Sequence, residues 1–237
     1  MSEDLKQHIR QLAEKYNVAE FIKNDPVLFP HRYSEKRDIE VSAMITQWIS
    51  YGNRKAIVET GNKLDALFCG TPYNYIMGGQ WQKFKDDKSS LYRFYKWNDF
   101  YLLCSALYHV YKEYDSLEDA INPECDYSVE LYRLFSSVNG IPDPSAGSAS
   151  KRIWMMLRWL VRRDGIVDLG IWRKLSPDRL LIPVDVHVLQ EAQKLGLTQR
   201  KSASILVAKE ITEFMASVFP EDPVKGDFAL FGLGVDK

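Results

Sequence analysis

Ser148-Ala-Ser-Lys151-Arg-Ile-Trp-Met-Met-Leu-Arg-Trp-Leu-Val-Arg-Arg163 decides the fold class, because its apolar residues recur at helical rather than strand spacing. Ile153, Met156, Leu157, Leu160 and Val161 fall at i, i+3, i+4, i+7 and i+8, one apolar stripe of an α-helix that faces a core. Lys151, Arg158 and Arg162 fall at i, i+7 and i+11 and form a basic stripe on another face. The pattern predicts a helix from Ser148 to Arg163 with Lys151 in or near its first turn.

The same periodicity extends outward in both directions. Downstream it predicts helices over Val186 to Leu195, Ser202 to Val218 and Val224 to Leu233. Upstream it predicts Ser2 to Tyr16 with Ser2 as N-cap, Asp38 to Ser50, a following helix to Phe68, Trp97 to Tyr111, a short helix after Ser116, and Tyr127 to Val138. Asn24-Asp-Pro, Phe29-Pro-His, Thr71-Pro, Met77-Gly-Gly and Asn139-Gly140 punctuate these segments as loops. No alternating run is long enough for a useful strand, and Leu180-Leu-Ile-Pro stops at its proline. The expectation is an all-α, two-lobed helical bundle forming one compact unit over 1–237. A central lobe would span 52–140, and a terminal lobe would join 1–51 to 141–237.

Composition narrows the classes of function. Of 237 residues, 46% are hydrophobic and 13% aromatic, enough for a large core and too many for a disordered chain. The charged N-terminus and short apolar runs predict neither signal peptide nor membrane span. Three widely spaced cysteines supply neither a disulfide framework nor a CxxC ligand pair, and the four histidines are scattered; no metal or other cofactor is expected. Together these features predict a cytoplasmic protein without membrane contact. The net charge of −1 argues against indiscriminate binding of polyanions. Yet 145–163 carries Lys151, Arg152, Arg158, Arg162 and Arg163 with no acid, a patch suited to a discrete anionic ligand.

Two positions stand out chemically. A cation in a helical first turn opposes the macrodipole at a cost of roughly 0.3–1 kcal/mol, and Arg152 adds a like charge beside Lys151. These terms disfavour the ammonium relative to the free amine, the form a nucleophile needs. Free N–H groups in that turn also offer a phosphate site. Asp185 follows Pro183 and opens the next helix, where it serves as N-cap and holds a carboxylate in a fixed place. The bland alternatives are a solvated Lys-Arg pair, a plain cap, and Asp164 or Asp168 pairing with the arginines. Tyr92-Arg-Phe-Tyr-Lys-Trp97 interleaves aromatics and cations, a pattern shared by base-stacking surfaces and by ordinary cores.

Gly147-Ser-Ala-Ser-Lys151 opening a helix, followed by Ile182-Pro-Val-Asp185-Val-His187-Val and a helix ending Leu195-Gly-Leu, resembles the helix-hairpin-helix DNA glycosylase superfamily. The motif spacing is most similar to its archaeal 8-oxoguanine glycosylase branch. Asp38 to Gln47 resembles an early helix of that superfamily, and Asp227 to Gly234 a closing one. The chain as a whole also resembles a bacterial family of unknown function. The resemblance implies a DNA base-excision glycosylase with abasic-site lyase activity. Lys151 would be the nucleophile and Asp185 the carboxylate that stabilises positive charge at C1′. Gly147, Ser148, Ala149 and Ser150 would form the hairpin, and Arg152, Arg158 and Arg162 would join it on DNA. Trp154, Trp172, His187 and Gln47 would line a base pocket. The implied partner is double-stranded DNA with a damaged base such as 8-oxoguanine, and no protein partner is implied. Two departures stand out: Ala149 replaces the second glycine of the usual Gly-x-Gly hairpin, and 164–172 has no counterpart. The rival expectations are a nucleic-acid-binding protein without catalysis and a helical scaffold.

Overall fold

A computed structural model describes residues 2–235 of the chain. Its α-helices are α1 (Glu3–Tyr16), α2 (Lys36–Ile49), α3 (Arg54–Asp65), α4 (Pro72–Met77) and α5 (Trp97–Glu113), then α6 (Tyr127–Phe135), α7 (Lys151–Val161), α8 (Val186–Lys194), α9 (Ile205–Ala216) and α10 (Gly226–Val235). The fold is therefore mostly helical, as the periodicity predicts. Several expected ends fray inward by one to three residues, short 3₁₀ turns such as Pro26–Leu28 and Pro30–Arg32 fill segments read as loops, and the short helix expected after Ser116 is the single 3₁₀ turn Glu118–Ala120. One correction concerns strands. A small antiparallel hairpin, β1 (Ser90–Tyr92) paired with β2 (Tyr95–Lys96), stands where no strand is expected, because two short arms carry too few residues to alternate visibly. No helix among the described residues is long and apolar enough to cross a membrane.

The chain divides into two compact units. One consists of the chain up to Lys23 together with the chain from Pro142 onward; the other is Asn24–Ile141. Segment 24–51, expected in the terminal lobe, thus belongs to the central unit. The reason lies in α2, whose residues from Ile39 to Ile49 are all buried, so it forms the centre of that unit. It packs on α3 and α4 and on the 3₁₀ turns Pro26–Leu28 and Pro30–Arg32. Its buried Glu40 is held through Oε2, which accepts from the Tyr111 hydroxyl at 3.0 Å and from the Leu117 N–H at 2.9 Å. Burial and the neighbouring Glu40 carboxylate push the Tyr111 hydroxyl well above the usual phenol range.

In the other unit, α10 packs against α1 and α8. Close approach requires Gly232, since a Cβ there would collide with the ring of Tyr16 on α1. Ser2 caps α1, its Oγ accepting from the Leu5 N–H at 3.3 Å, as its position predicts. Helix α7 is amphipathic and ends against the segment that follows it. The Leu169 and Gly170 N–H groups donate to the Trp159 carbonyl at 2.7 and 3.1 Å, and the Trp172 N–H donates to the Leu160 carbonyl at 2.8 Å. Segment 164–172 is thus the C-terminal cap of α7.

Candidate active site

The site begins where two helices start. Ser150 precedes α7 with φ 45°, a left-handed conformation uncommon for serine, and Lys151 is the first residue of the helix. Asp185 precedes α8 in an extended conformation, and its Oδ1 accepts from the Val188 N–H at 2.9 Å, the N-cap bond that its position predicts. This leaves Oδ2 for another donor. Lys151 Nζ fills that place at 2.7 Å, so the two candidate residues, 34 apart in sequence, share one charge-assisted hydrogen bond. The side chains keep 38% and 30% of their exposure, which leaves the pair open to solvent and to a ligand. Burial raises the Asp185 pKa, but the Lys151 ammonium, its hydrogen bond, the Val188 N–H and His187 outweigh that and hold the carboxyl below its usual range.

The next turns of α7 differ entirely from the first. Arg158 and Arg162 are 3% and 2% exposed, so they form no solvent-facing basic stripe, and their assignment to DNA contact is corrected here. Arg158 Nε donates to Asp168 at 3.2 Å and its Nη1 to Asp227. Arg162 Nη1 donates to Asp164 and, at 2.9 Å, to Asp168, while its Nε donates to Asp222 at 2.8 Å. Both guanidinium groups also lie against the Phe228 ring, at 4.4 and 5.2 Å. An arginine placed this deep needs carboxylate partners, because burying an unpaired ion costs several kcal/mol. The insert 164–172 supplies two of those partners and the chain near α10 the others.

The acids of this network do not share one state. Burial lifts Asp168 and Asp222 above the usual carboxylate range despite their arginine partners. Asp164 lies lower than usual: burial raises it, but the Ile166 N–H, Arg162 and Asn17 overcome that. Asp227 is the group that sequence reading passes over. Burial pushes it up to about 6, opposed by Arg158 and Lys151 and reinforced by the Asp185 and Asp168 charges. Its electrostatic coupling to both Lys151 and Asp185 links the buried network to the open pair. The one available signal was an aspartate opening an otherwise apolar segment, Asp227-Phe-Ala-Leu-Phe.

The remaining expected site residues scatter. Gly147, with φ 77°, and Ser148 form the turn before α7; Ser148 bridges to Ser204, and the Ile205 N–H donates to the Gly147 carbonyl at 3.2 Å. Ala149 and Ser150 are 4% and 1% exposed, and the Ser150 N–H is held by Ser148 Oγ at 3.1 Å, so a two-residue N–H clamp over 149–150 does not face outward. The element before the turn is the 3₁₀ turn Pro144–Ala146 rather than an α-helix. Arg152 is half-buried beside Lys151, and His187 is exposed beside Asp185. Trp154 and Trp172 are 2% and 0% exposed and are core residues, not walls of an open pocket. Gln47 is fully buried in the central unit, its Nε2 directed at Met44 Sδ at 3.4 Å. Among the described residues no group of three or more His, Cys, Asp or Glu is placed to hold a metal ion.

Comparison with curated proteins and with solved structures returned no match. The chain belongs to the DUF2400 family, described as a protein of unknown function, whose profile matches residues 25–236.

Proposed function

We propose that this protein is a DNA base-excision glycosylase with abasic-site lyase activity, acting on duplex DNA that carries a damaged base such as 8-oxoguanine. The observation that carries the reading is the 2.7 Å contact between Lys151 Nζ and Asp185 Oδ2 at the starts of two helices, in a pair that remains partly open. An amine beside a carboxylate at hydrogen-bond distance is the arrangement a nucleophile and its charge-stabilising partner require. The helix cap fixes Asp185 independently of Lys151, so the carboxylate keeps its place when the amine moves to attack.

The chemistry follows from that geometry. Extrusion of the damaged nucleotide costs a few kcal/mol of unstacking. As the C1′–N bond breaks, its electron pair leaves with the base, which takes up a proton, and the Asp185 carboxylate stabilises the positive charge left on the sugar. Lys151, having lost one proton, forms the new bond to C1′. Opening of the sugar ring gives an iminium ion, loss of the C2′ proton follows, and the C3′–O bond breaks with departure of the 3′ phosphate. With Arg158 and Arg162 internally paired, phosphate contact falls to Lys151, Arg152 and the turn at Gly147 and Ser148. Direct assay is release of free base and strand scission from an 8-oxoguanine duplex. Release with scission supports the reading. A protein that binds the duplex but releases no base from it, or from duplexes with other oxidised or deaminated bases, is a binding protein instead.

A further inference from the structure

The hairpin that the sequence reading does not expect carries an unusual side chain. Phe94 lies in the β1–β2 turn and is 71% exposed, the most exposed of the large hydrophobic residues described. An isolated exposed apolar residue needs no explanation; this one is held in place. Arg93 beside it has φ 53°, a left-handed conformation that a long side chain adopts only where the surroundings enforce it. Its guanidinium lies 5.3 Å from the Tyr51 ring centroid and 5.7 Å from that of Phe94. The Phe94 and Tyr51 rings are themselves stacked, 5.6 Å apart and 19° from parallel. The Tyr92 hydroxyl donates to the Tyr51 carbonyl at 2.6 Å, and Tyr51 sits edge-on to Tyr92 and Tyr95. Gly52 completes the seat, because a Cβ there would run into the Arg93 guanidinium.

An aromatic ring is thus presented rigidly to solvent beside the Arg93 guanidinium, in a stretch of chain rich in cations. Lys83, Lys85, Lys88, Arg93 and Lys96 are exposed between 83 and 96, against Asp86 and Asp87 as the only acids of that stretch. We propose that this hairpin tip is a binding site for single-stranded nucleic acid, with Phe94 stacking on an unpaired base and the surrounding cations meeting the strand's phosphates. The pairing of a fixed ring with cations singles out this ligand: each base offers a π-face, and each phosphate a charge. A purely apolar partner would have to desolvate the Arg93 guanidinium beside the ring, and a purely anionic one would not need the ring. The site lies wholly within the central unit and stands independently of the chemistry assigned to Lys151 and Asp185.

The test is fluorescence anisotropy of the full chain with a labelled 12-residue oligothymidylate, which contains no abasic site and no damaged base. Wild-type protein is expected to bind, more weakly as salt rises. Phe94→Ala should lower affinity on the order of tenfold, Phe94→Tyr should restore most of it, and Phe94→Leu, apolar but without a ring, should not. Lys88→Ala should make the log K against log salt slope shallower by about 0.7. A 2-aminopurine placed in the strand should be quenched by wild type and not by Phe94→Ala. Equal affinity of wild type and Phe94→Ala, or no binding of the oligonucleotide by wild type, overturns the proposal. So does sedimentation showing a wild-type dimer that Phe94→Ala dissociates without any effect of DNA, which would make the tip a contact between copies.

Discussion

Helix α7 and its C-cap residue carry four cations, Lys151, Arg152, Arg158 and Arg162, and the first turn and the later turns use them in opposite ways. Lys151 keeps 38% of its side-chain exposure and shares a single carboxylate oxygen, whereas Arg162 keeps 2% and is surrounded by Asp164, Asp168 and Asp222. The difference follows from what each position faces. The first turn opens beside the start of α8, where Asp185 is already fixed as a cap, so a lysine there gains one partner and stays accessible. The later turns face the 164–172 segment and the start of α10, so arginines there become interior ions whose partners the fold must supply. Equal charge along one helix therefore says nothing about equal role; exposure and partner count do.

Four experiments break or sharpen that contrast. The largest effect on stability belongs to the interior. Arg162→Ala leaves three buried or half-buried carboxylates without their shared cation, and urea unfolding should show a loss of about 3–5 kcal/mol. A loss below about 1 kcal/mol would mean that the network is effectively solvated, and the contrast with Lys151 would disappear.

The largest effect on chemistry belongs to the open pair. Asn caps a helix about as well as Asp, so Asp185→Asn should move the unfolding free energy by no more than about 1 kcal/mol, including its partly exposed ion pair. The charge at C1′ would be lost, and base excision should fall on the order of 10²- to 10³-fold. Undiminished excision with an unchanged melt would reduce Asp185 to a helix cap.

A smaller effect is expected from pH. Asp227 is raised from its ordinary 3.8 to about 6 in the folded protein. Between those values the native state binds more protons than the unfolded chain, so the stability contribution is full at low pH and is lost as pH rises through about 6. The slope approaches about 1.4 kcal/mol per pH unit for one such group. Asp185 and Asp164 act with the opposite sign: both are lowered, so their contribution is lost as pH falls through their folded values, below the usual carboxylate range. Asp168 and Asp222, also raised by burial, add to the slope in the same direction, so unfolding curves at several pH values should show a steeper fall of stability with rising pH in wild type than in Asp227→Asn. The same slope in both would place the titration elsewhere.

Much of this was legible before any coordinates. The 3.6-residue period gave the helical class and put Lys151 in or near the first turn of a helix, though with the start three residues too early, and capping chemistry gave the cap at Asp185, because apolar stripes and caps are local. The pairing of Lys151 with Asp185 was reached through motif resemblance, not through physics, since nothing local brings residues 34 apart into contact. The fate of Arg158 and Arg162 was half legible. Asp164 and Asp168 stood close by in sequence as possible partners, but Asp222 and Asp227 lie 60 and 69 residues from the arginines they bind. A helical wheel shows which residues share a face, not whether solvent or an acidic wall lies opposite. The β1–β2 hairpin escaped because its arms are three and two residues long. Its Phe94 belongs to a motif, Tyr92 to Trp97, that fits a base-stacking surface and an ordinary core alike, and sequence alone does not tell which ring of it is exposed.

The most direct measurement is borohydride trapping on abasic-site DNA. A Schiff base on Lys151 is reduced to a stable covalent adduct, visible as a shifted band, in wild-type protein. The account predicts that adduct in wild type and in folded Arg158→Met, and its absence in Lys151→Ala. An adduct of equal yield in Lys151→Ala would show that another amine does the trapping, and would contradict the role assigned to the lysine at the start of α7.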